Sequence, residues 1–279
     1  MKLSIDVGGT NLRSELHMPS EIVCEDVSSQ KNDLIDFIEA KLRTYPSISF
    51  IGISFAGQVY KGEILSAPNL RVREPKIKEY FESRYNLKLE IDNDLNCAVR
   101  AEAHYFKSDS VLALYVGTGL GSAFMDDGRL VLGAKNQAFE IGHIPYKKTI
   151  LACGCGKMNC LELYASASGL NKWMKYFNIP KVSLLELENS PDTQSREIAL
   201  EFKEALLFAT ATLITIANPK ILVLGGGVIK HNPYLIEWLK ESLRGQAFSA
   251  SLDEVIIVMS ELQNGAISGA KLLEGSVDE

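Results

Sequence analysis

Between Glu140 and Glu162 the chain reads Glu-x-x-His, nine residues, Cys-Gly-Cys-Gly, three residues, Cys-x-Glu. Cys153, Cys155 and Cys160 supply three thiols and His143 an imidazole, the donor set of a closed tetrahedral zinc site. Four protein ligands leave no open position, so such a metal is structural. It would contribute roughly 10–16 kcal/mol of binding energy to folding the loop. Gly154 and Gly156 let the loop wrap tightly. Glu140, one helical turn before His143, and Glu162, just after Cys160, would be aimed by the metal. Both are read as acceptors for ligand hydroxyls.

Three glycine turns could handle phosphate: Gly8-Gly9-Thr10, Gly117-Thr118-Gly119-Leu120-Gly121 and Gly225-Gly226-Gly227. Each follows an apolar run. Glycine lets backbone N–H groups approach a phosphate, and Thr10 and Thr118 add hydroxyls. No Gly-Lys-Ser/Thr follows, and no G-x-G-x-x-G opens a helix, so neither a P-loop nor a dinucleotide fingerprint is present. Asp6 beside the first turn would repel phosphate unless a cation such as Mg²⁺ lay between them. Asp92-Asn93-Asp94 combines a possible helix cap with a possible base. A carboxylate at a helix N-terminus should stay ionised, which suits the late proton removal of phosphoryl transfer.

These residues need strands that end at the turns. Lys2–Val7, Ile48–Phe55, Leu87–Ile91, Val111–Val116, Ile221–Leu224 and Val255–Met259 read as strands. Helical spacing covers Leu34–Leu42, a segment after Asp94 with Leu95, Ala98, Val99 and Phe106 on one face, Glu197–Ala217, and Asn264–Leu273. Residues 181–195 read as an exposed connector. The strand-then-glycine pattern at Leu3–Thr10 returns at Val111–Gly121, a sign of internal duplication. Alternating strands and helices imply an α/β fold with mixed sheets.

The chain has 279 residues, 46% hydrophobic and 23% charged, with a formal net charge of −6. That supports a sizeable core and argues against nucleic acid or an anionic membrane as partner. No apolar run is long enough to span a bilayer, and the N-terminus does not read as a signal peptide. Clustered cysteines fit a reducing, cytoplasmic setting. Cys24 and Cys97 read as isolated buried thiols.

Taken together, these motifs resemble the ROK family of sugar kinases, within the actin/hexokinase-like (ribonuclease H-like) ATPases. Asp6-Val7-Gly8-Gly9-Thr10 resembles the family's first phosphate motif and Gly117–Gly121 its second. Asn93-Asp94 resembles its catalytic pair, Glu140-Ile141-Gly142-His143 its sugar motif, and Cys153–Glu162 its zinc motif. Gly225–Gly227 resembles the loop under the adenosine, and Gln263–Ala266 the start of the C-terminal helix.

The resemblance implies two α/β domains with an interdomain cleft that closes over its substrates. The first would span 1–106, with a helix at about 264–279 packing back on it; the second would span 107–263, with its zinc loop at 143–160. It implies ATP-dependent phosphorylation of a hexose or N-acetylhexosamine at the 6-hydroxyl, with Asp94 as base. Glucose comes first, with N-acetylmannosamine, N-acetylglucosamine or fructose as alternatives. Asn69, Asn93, Glu140, His143 and Glu162 would hold the sugar. Asp6, Gly8, Gly9, Thr10, Asn11, Gly117, Thr118, Gly119 and Gly225–Gly227 would hold MgATP. A homodimer or tetramer is implied. Ser122-Ala123 and Asn159 stand where glycines are usual, so a less free backbone is expected at the first, whereas at the second Asn tolerates a left-handed conformation and the zinc site is expected to survive. Arg71-Val72-Arg73 replaces a frequent Trp. The other class of reading is a ROK-type sugar-sensing repressor. Those carry an N-terminal helix-turn-helix, which this chain, opening on the first phosphate strand, is not expected to have.

Overall fold

The computed structural model describes residues 1–67 and 70–275. In chain order the elements are β1 (Lys2–Val7), β2 (Asn11–His17), β3 (Ile22–Ser28), α1 (Leu34–Thr44), β4 (Phe50–Phe55), β5 (Gln58–Tyr60), β6 (Glu63–Ser66), α2 (Ile77–Glu82), β7 (Lys88–Asn93) and α3 (Asp94–Phe106). Then come β8 (Val111–Val116), β9 (Leu120–Asp126), β10 (Arg129–Leu130), α4 (Ala167–Tyr176), α5 (Leu184–Glu188), α6 (Thr193–Ala217), β11 (Ile221–Gly225), α7 (Gly227–His231), α8 (Tyr234–Ser242), α9 (Ser249–Leu252), β12 (Ile256–Met259) and α10 (Gly265–Leu272). They divide into two compact units. The first takes Met1–Phe106, Leu132–Ala138 and the chain from Leu262 onward; the second takes Lys107–Val131 and Phe139–Glu261. Leu132–Ala138 thus groups with the first unit, inside what the sequence suggested was one unbroken span from 107 to 263.

The sheet of the first unit runs β3-β2-β1-β4-β7. β1 pairs antiparallel with β2 and parallel with β4, which pairs parallel with β7. β4, Phe-Ile-Gly-Ile-Ser-Phe, is buried at every position, as a central parallel strand requires. β2 alternates, with Leu12, Ser14 and Leu16 inside. Asp33 caps α1 by accepting from the Ile35 and Asp36 N–H groups, a contact of about 1 kcal/mol. That helix buries Ile35, Ile38 and Leu42, each stabilising by roughly 1.5–3 kcal/mol. The α10 helix, capped by Asn264, packs on α3, β1 and β4. The buried face of α3 is Cys97, Ala98, Val99 and Ala101 to Ala103, whereas Leu95 and Phe106 stay half-buried. Small residues prevail there because α10 lies close, with Gly269 against the Cys97 carbonyl.

The sheet of the second unit runs β10-β9-β8-β11-β12. Again two antiparallel pairings are followed by two parallel ones. Both sheets therefore share one order, which supports the duplication inferred from the strand-glycine repeat. The long α6 buries Ile198, Phe202, Leu206 and Leu213 among others and ends at Asn218, left-handed at φ 46°. The expected connector at 181–195 is structured. Ser183 and Glu186 form a capping box that starts α5, Leu184 and Leu187 are buried, and Asp192 caps α6. Cys97 is buried as expected, but Cys24 is exposed because β3 is an edge strand. No helix among the described residues is long and apolar enough to cross a membrane.

Candidate functional site

The first glycine turn joins β1 to β2. The Gly8 N–H closes on the Asn11 carbonyl at 2.9 Å, and the Thr10 carbonyl accepts from Ser29 N at 3.0 Å. Gly8's donor is therefore used within the turn, while the Thr10 side is exposed. Asp6 lies in register with Ser54 of β4, whose hydroxyl is 3.3 Å from Oδ1; Asn264 Nδ2 is 3.5 Å from Oδ2. Burial raises the Asp6 carboxyl above its usual value, against these hydrogen bonds and the charge of Arg13. A carboxylate whose ionisation is costly and incompletely offset fits a site that takes a divalent cation.

Asp92, Asn93 and Asp94 straddle the end of β7 and the start of α3, and they do different jobs. Asp94 is the first residue of α3, half-buried, with Oδ1 3.0 Å from Leu95 N. Asn93 Oδ1 accepts from Leu95 N at 2.9 Å and its Nδ2 donates to the Gly57 carbonyl at 3.0 Å. Asn93 is thus the cap and a tie to the neighbouring loop. Asp92, which could have been the cap, is buried behind the turn. Its Oδ1 accepts from Asn93 N, Asn96 Nδ2 and Asn136 Nδ2 at 2.7–2.9 Å, and Arg100 Nη2 lies 3.7 Å from Oδ2. Burial pushes its carboxyl upward, opposed by the amides of Asn96 and Asn136 and by Arg100.

In the second unit, the Gly117 N–H closes on the Gly119 carbonyl at 2.9 Å, and the Gly117 and Thr118 carbonyls accept from Ala167 and Ser168 at the start of α4. Glu162 leans on this turn. Its Oε2 accepts from Leu120 N at 3.0 Å, and a Cβ placed on Gly119 would sit 2.5 Å from that oxygen. A side chain at 119 would have to push that carboxylate end aside. Ser122-Ala123 form regular strand opposite Leu114 and Ala113, so no backbone freedom is called for there. The Ser122 hydroxyl instead donates to the Phe139 carbonyl at 2.6 Å. Phe139 holds φ 63°, unusual for an aromatic residue, immediately before Glu140.

His143 ends a 3-10 turn over Ile141–His143. A narrow ribbon pairs its downstream residues with the last cysteine: Tyr146 N meets Asn159 O at 2.8 Å, and Leu161 N meets Ile144 O at 3.1 Å. The tip turns at Cys153–Lys157, with Gly156 at φ 89°. Asn159 lies in this extended ribbon and is not among the left-handed residues, so no glycine is called for there. One ligand atom from each of His143, Cys153, Cys155 and Cys160 lies within 4.8 Å of every other. His143 Nδ1 is 3.6 Å from Cys153 Sγ, and the Cys155 and Cys160 sulfurs are 3.4 Å apart. Bonds of about 2.0–2.3 Å to one zinc ion fit such a cluster. Burial pushes the Cys153 thiol up to about 12; a bound metal would reverse this by taking the thiolate. Glu162 Oε1 stands 3.4 Å from Cys153 Sγ, so Glu162 links the cysteine cluster to the Gly119 turn. Glu140 is exposed as a residue. Its carboxyl is nonetheless raised by desolvation, opposed by His143 and reinforced by the like charge of Glu162.

The third turn is less open than its sequence suggests. Gly225 ends β11, and Gly226, at φ 86°, packs so closely on the Val116 carbonyl that no side chain fits. Gly227 alone of the three has open space at its Cβ position. Asn69 lies outside the described residues. Sequence reasoning passed over Asn136 and the Ser122–Phe139 bond. The one available signal for Asn136 was Asn among polar residues, a type that tolerates left-handed backbone.

Residues 2–276 match the ROK family, and the chain belongs to that family. A xylose repressor from Caldicellulosiruptor bescii is 26% identical over a stretch covering 87% of this chain and 67% of its own. An N-acetyl-D-glucosamine kinase from Aliivibrio salmonicida is 25% identical, covering 98% of this chain and 99% of its own. The crystal structure of a ROK hexokinase from Thermus thermophilus matches with a TM-score of 0.80 at 24% identity, over 97% of this chain and 96% of that one.

Proposed function

We propose that this protein is an ATP-dependent sugar kinase acting on the 6-hydroxyl of a hexose or N-acetylhexosamine, glucose first among them. The observation that carries the reading is Asp94, set at the first turn of α3 by Asn93 and Leu95 while its neighbour Asp92 is held behind it. A sensor needs to hold a sugar, but it has no use for a base beside the residues that hold it.

ATP with Mg²⁺ supplies the transferable phosphoryl group when bound; Asp6, the Gly8–Asn11 turn, Gly117–Gly119 and the Gly225–Gly227 turn would hold it, Gly227 being the open position of the last. His143, Cys153, Cys155 and Cys160 would hold zinc, which would supply rigidity rather than chemistry. By the family resemblance, Asn69, Asn93, Glu140, His143 and Glu162 would hold the sugar hydroxyls. Asp94 takes the proton as the sugar oxygen bonds to the γ-phosphorus and the bond to ADP breaks. General-base help of this kind is worth about 10²–10⁴-fold. The reading places the protein in the cytoplasm as a homodimer or tetramer, with a small sugar and no nucleic acid as partner.

The test is ADP release with MgATP across hexoses and N-acetylhexosamines. Turnover with one sugar, reduced about 10²–10⁴-fold in Asp94→Asn with MgATP affinity kept, is the expected result. A second reading, a non-catalytic sugar sensor, is favoured by the likeness to the xylose repressor. Saturable sugar binding without ADP release would select it.

A further inference from the structure

We propose that Asn136 is a positioning residue for the Asn93–Asp94 turn, acting through Asp92. The role of that turn rests on the kinase reading; the hydrogen-bond chain does not. Asn136 belongs to the Leu132–Ala138 segment of the first unit and holds φ 57°. Its Nδ2 donates to Asp92 Oδ1 and to the Val59 carbonyl, both at 2.9 Å, and its Oδ1 accepts from Asn96 Nδ2 at 2.8 Å. The same Asp92 oxygen accepts from the Asn93 N–H at 2.7 Å. Asn96, one turn along α3, donates to both Asp92 and Asn136. Two amide side chains and one peptide N–H, from two stretches of chain, therefore converge on one oxygen of a carboxylate that is only 5% exposed.

The geometry has a direct consequence for the base. The Asn93 peptide precedes Asp94, so whatever fixes Asp92 fixes the angle at which Asp94 leaves the strand. Without Asn136, Asp92 keeps a buried charge with one donor fewer and can turn toward Arg100, releasing the Asn93 N–H. A displacement of about 1 Å at a catalytic group costs on the order of 10²-fold in rate. The loop is suited to hold the amide: the Ala138 N–H closes on the Leu132 carbonyl at 3.1 Å, and Asn tolerates the left-handed backbone.

Asn136→Gly tests this, because glycine keeps the positive φ and removes only the amide. The expected result is a folded protein whose turnover number falls about 10–100-fold, with KM for MgATP unchanged. Amide hydrogen exchange at Asn93 should speed up about tenfold or more while the β1 and β4 amides keep their rates. Asn136→Asp, which sets a second carboxylate against Asp92, should do the same more severely, and it serves if the glycine variant does not fold. Unchanged exchange at Asn93 in a folded variant would overturn the proposal. If the wild-type protein transfers no phosphoryl group to any sugar, the kinase reading fails, and the Asn93 exchange rate alone decides whether Asn136 sets the turn.

Discussion

Asp6 shows how a single residue trades stability for use. Burial holds its carboxyl above the usual value of 3.8, so folding disfavours the charged form. The stability it contributes is fully present below the unfolded value and is lost as pH rises through the raised folded value. At neutral pH the ionised group costs the fold something that a bound cation would offset. Asp6→Asn is therefore expected to be at least as stable as the parent at pH 7, with a flatter dependence on pH in the acid range, while turnover falls about 10–100-fold. Urea unfolding from about pH 4 to pH 8 checks it; a variant less stable than the parent at pH 7 would sink the argument. Glu162 makes the complementary case, a carboxylate fixed by neighbours. Gly119→Ala would force its Oε2 off the Leu120 N–H. The expected outcome is a loss of about 0.5–1.5 kcal/mol of stability from the displaced hydrogen bond and a raised KM for sugar, read by thermal unfolding and steady-state kinetics.

At the scale of elements, the ribbon from His143 to Leu161 is held by few backbone bonds and a donor cluster. Cys155→Ser is expected to lose the metal, lower the melting temperature and weaken sugar binding together, because Glu162 stands between the cluster and the Gly119 turn. Metal content by elemental analysis beside calorimetry reads this, and unchanged zinc with unchanged affinity would count against the site. What the sequence disclosed follows from how local the signal was. Val111–Val116 is a strand from end to end because an unbroken apolar run can hardly be anything else when it is this short and ends in glycine. The four-donor cluster was legible because metal spacing is written in consecutive residues. Leu184 and Leu187 were hidden by the charged and turn-forming residues around them, though the Ser183–Glu186 box was a readable start signal. The partners of Asn136 could not be read: Val59, Asp92 and Asn96 are distant in sequence, and periodicity carries no record of side-chain hydrogen bonds.

At the scale of the molecule, two cores with the same strand order differ in what supports them. The first, around Leu3, Ile5, Ile51, Ile53 and Leu89, has no share in the cysteine cluster, whereas Cys153 and Cys160 are part of the second. Chelation is therefore expected to strip protection from amides at 144–161 and the adjoining α4 while β1, β4 and β7 stay protected. Hydrogen exchange with and without chelator measures this, and uniform loss in both units would contradict it. The matched sheets also bear on how such a chain diversifies. In the first half, the link from the third strand to the fourth, β3 to β4, is a short stretch with one helix; in the second, the link from β10 to β11 has grown to include the Asn136 loop, Glu140, the cysteine ribbon and three helices. On the kinase reading proposed above, acceptor recognition would be largely an insertion in one copy of a repeated module, whereas the turns proposed to hold phosphate belong to the module itself. On that reading, mutation could redraw the insertion, and with it the choice of sugar, while the inherited pair of sheets goes on presenting the same two turns.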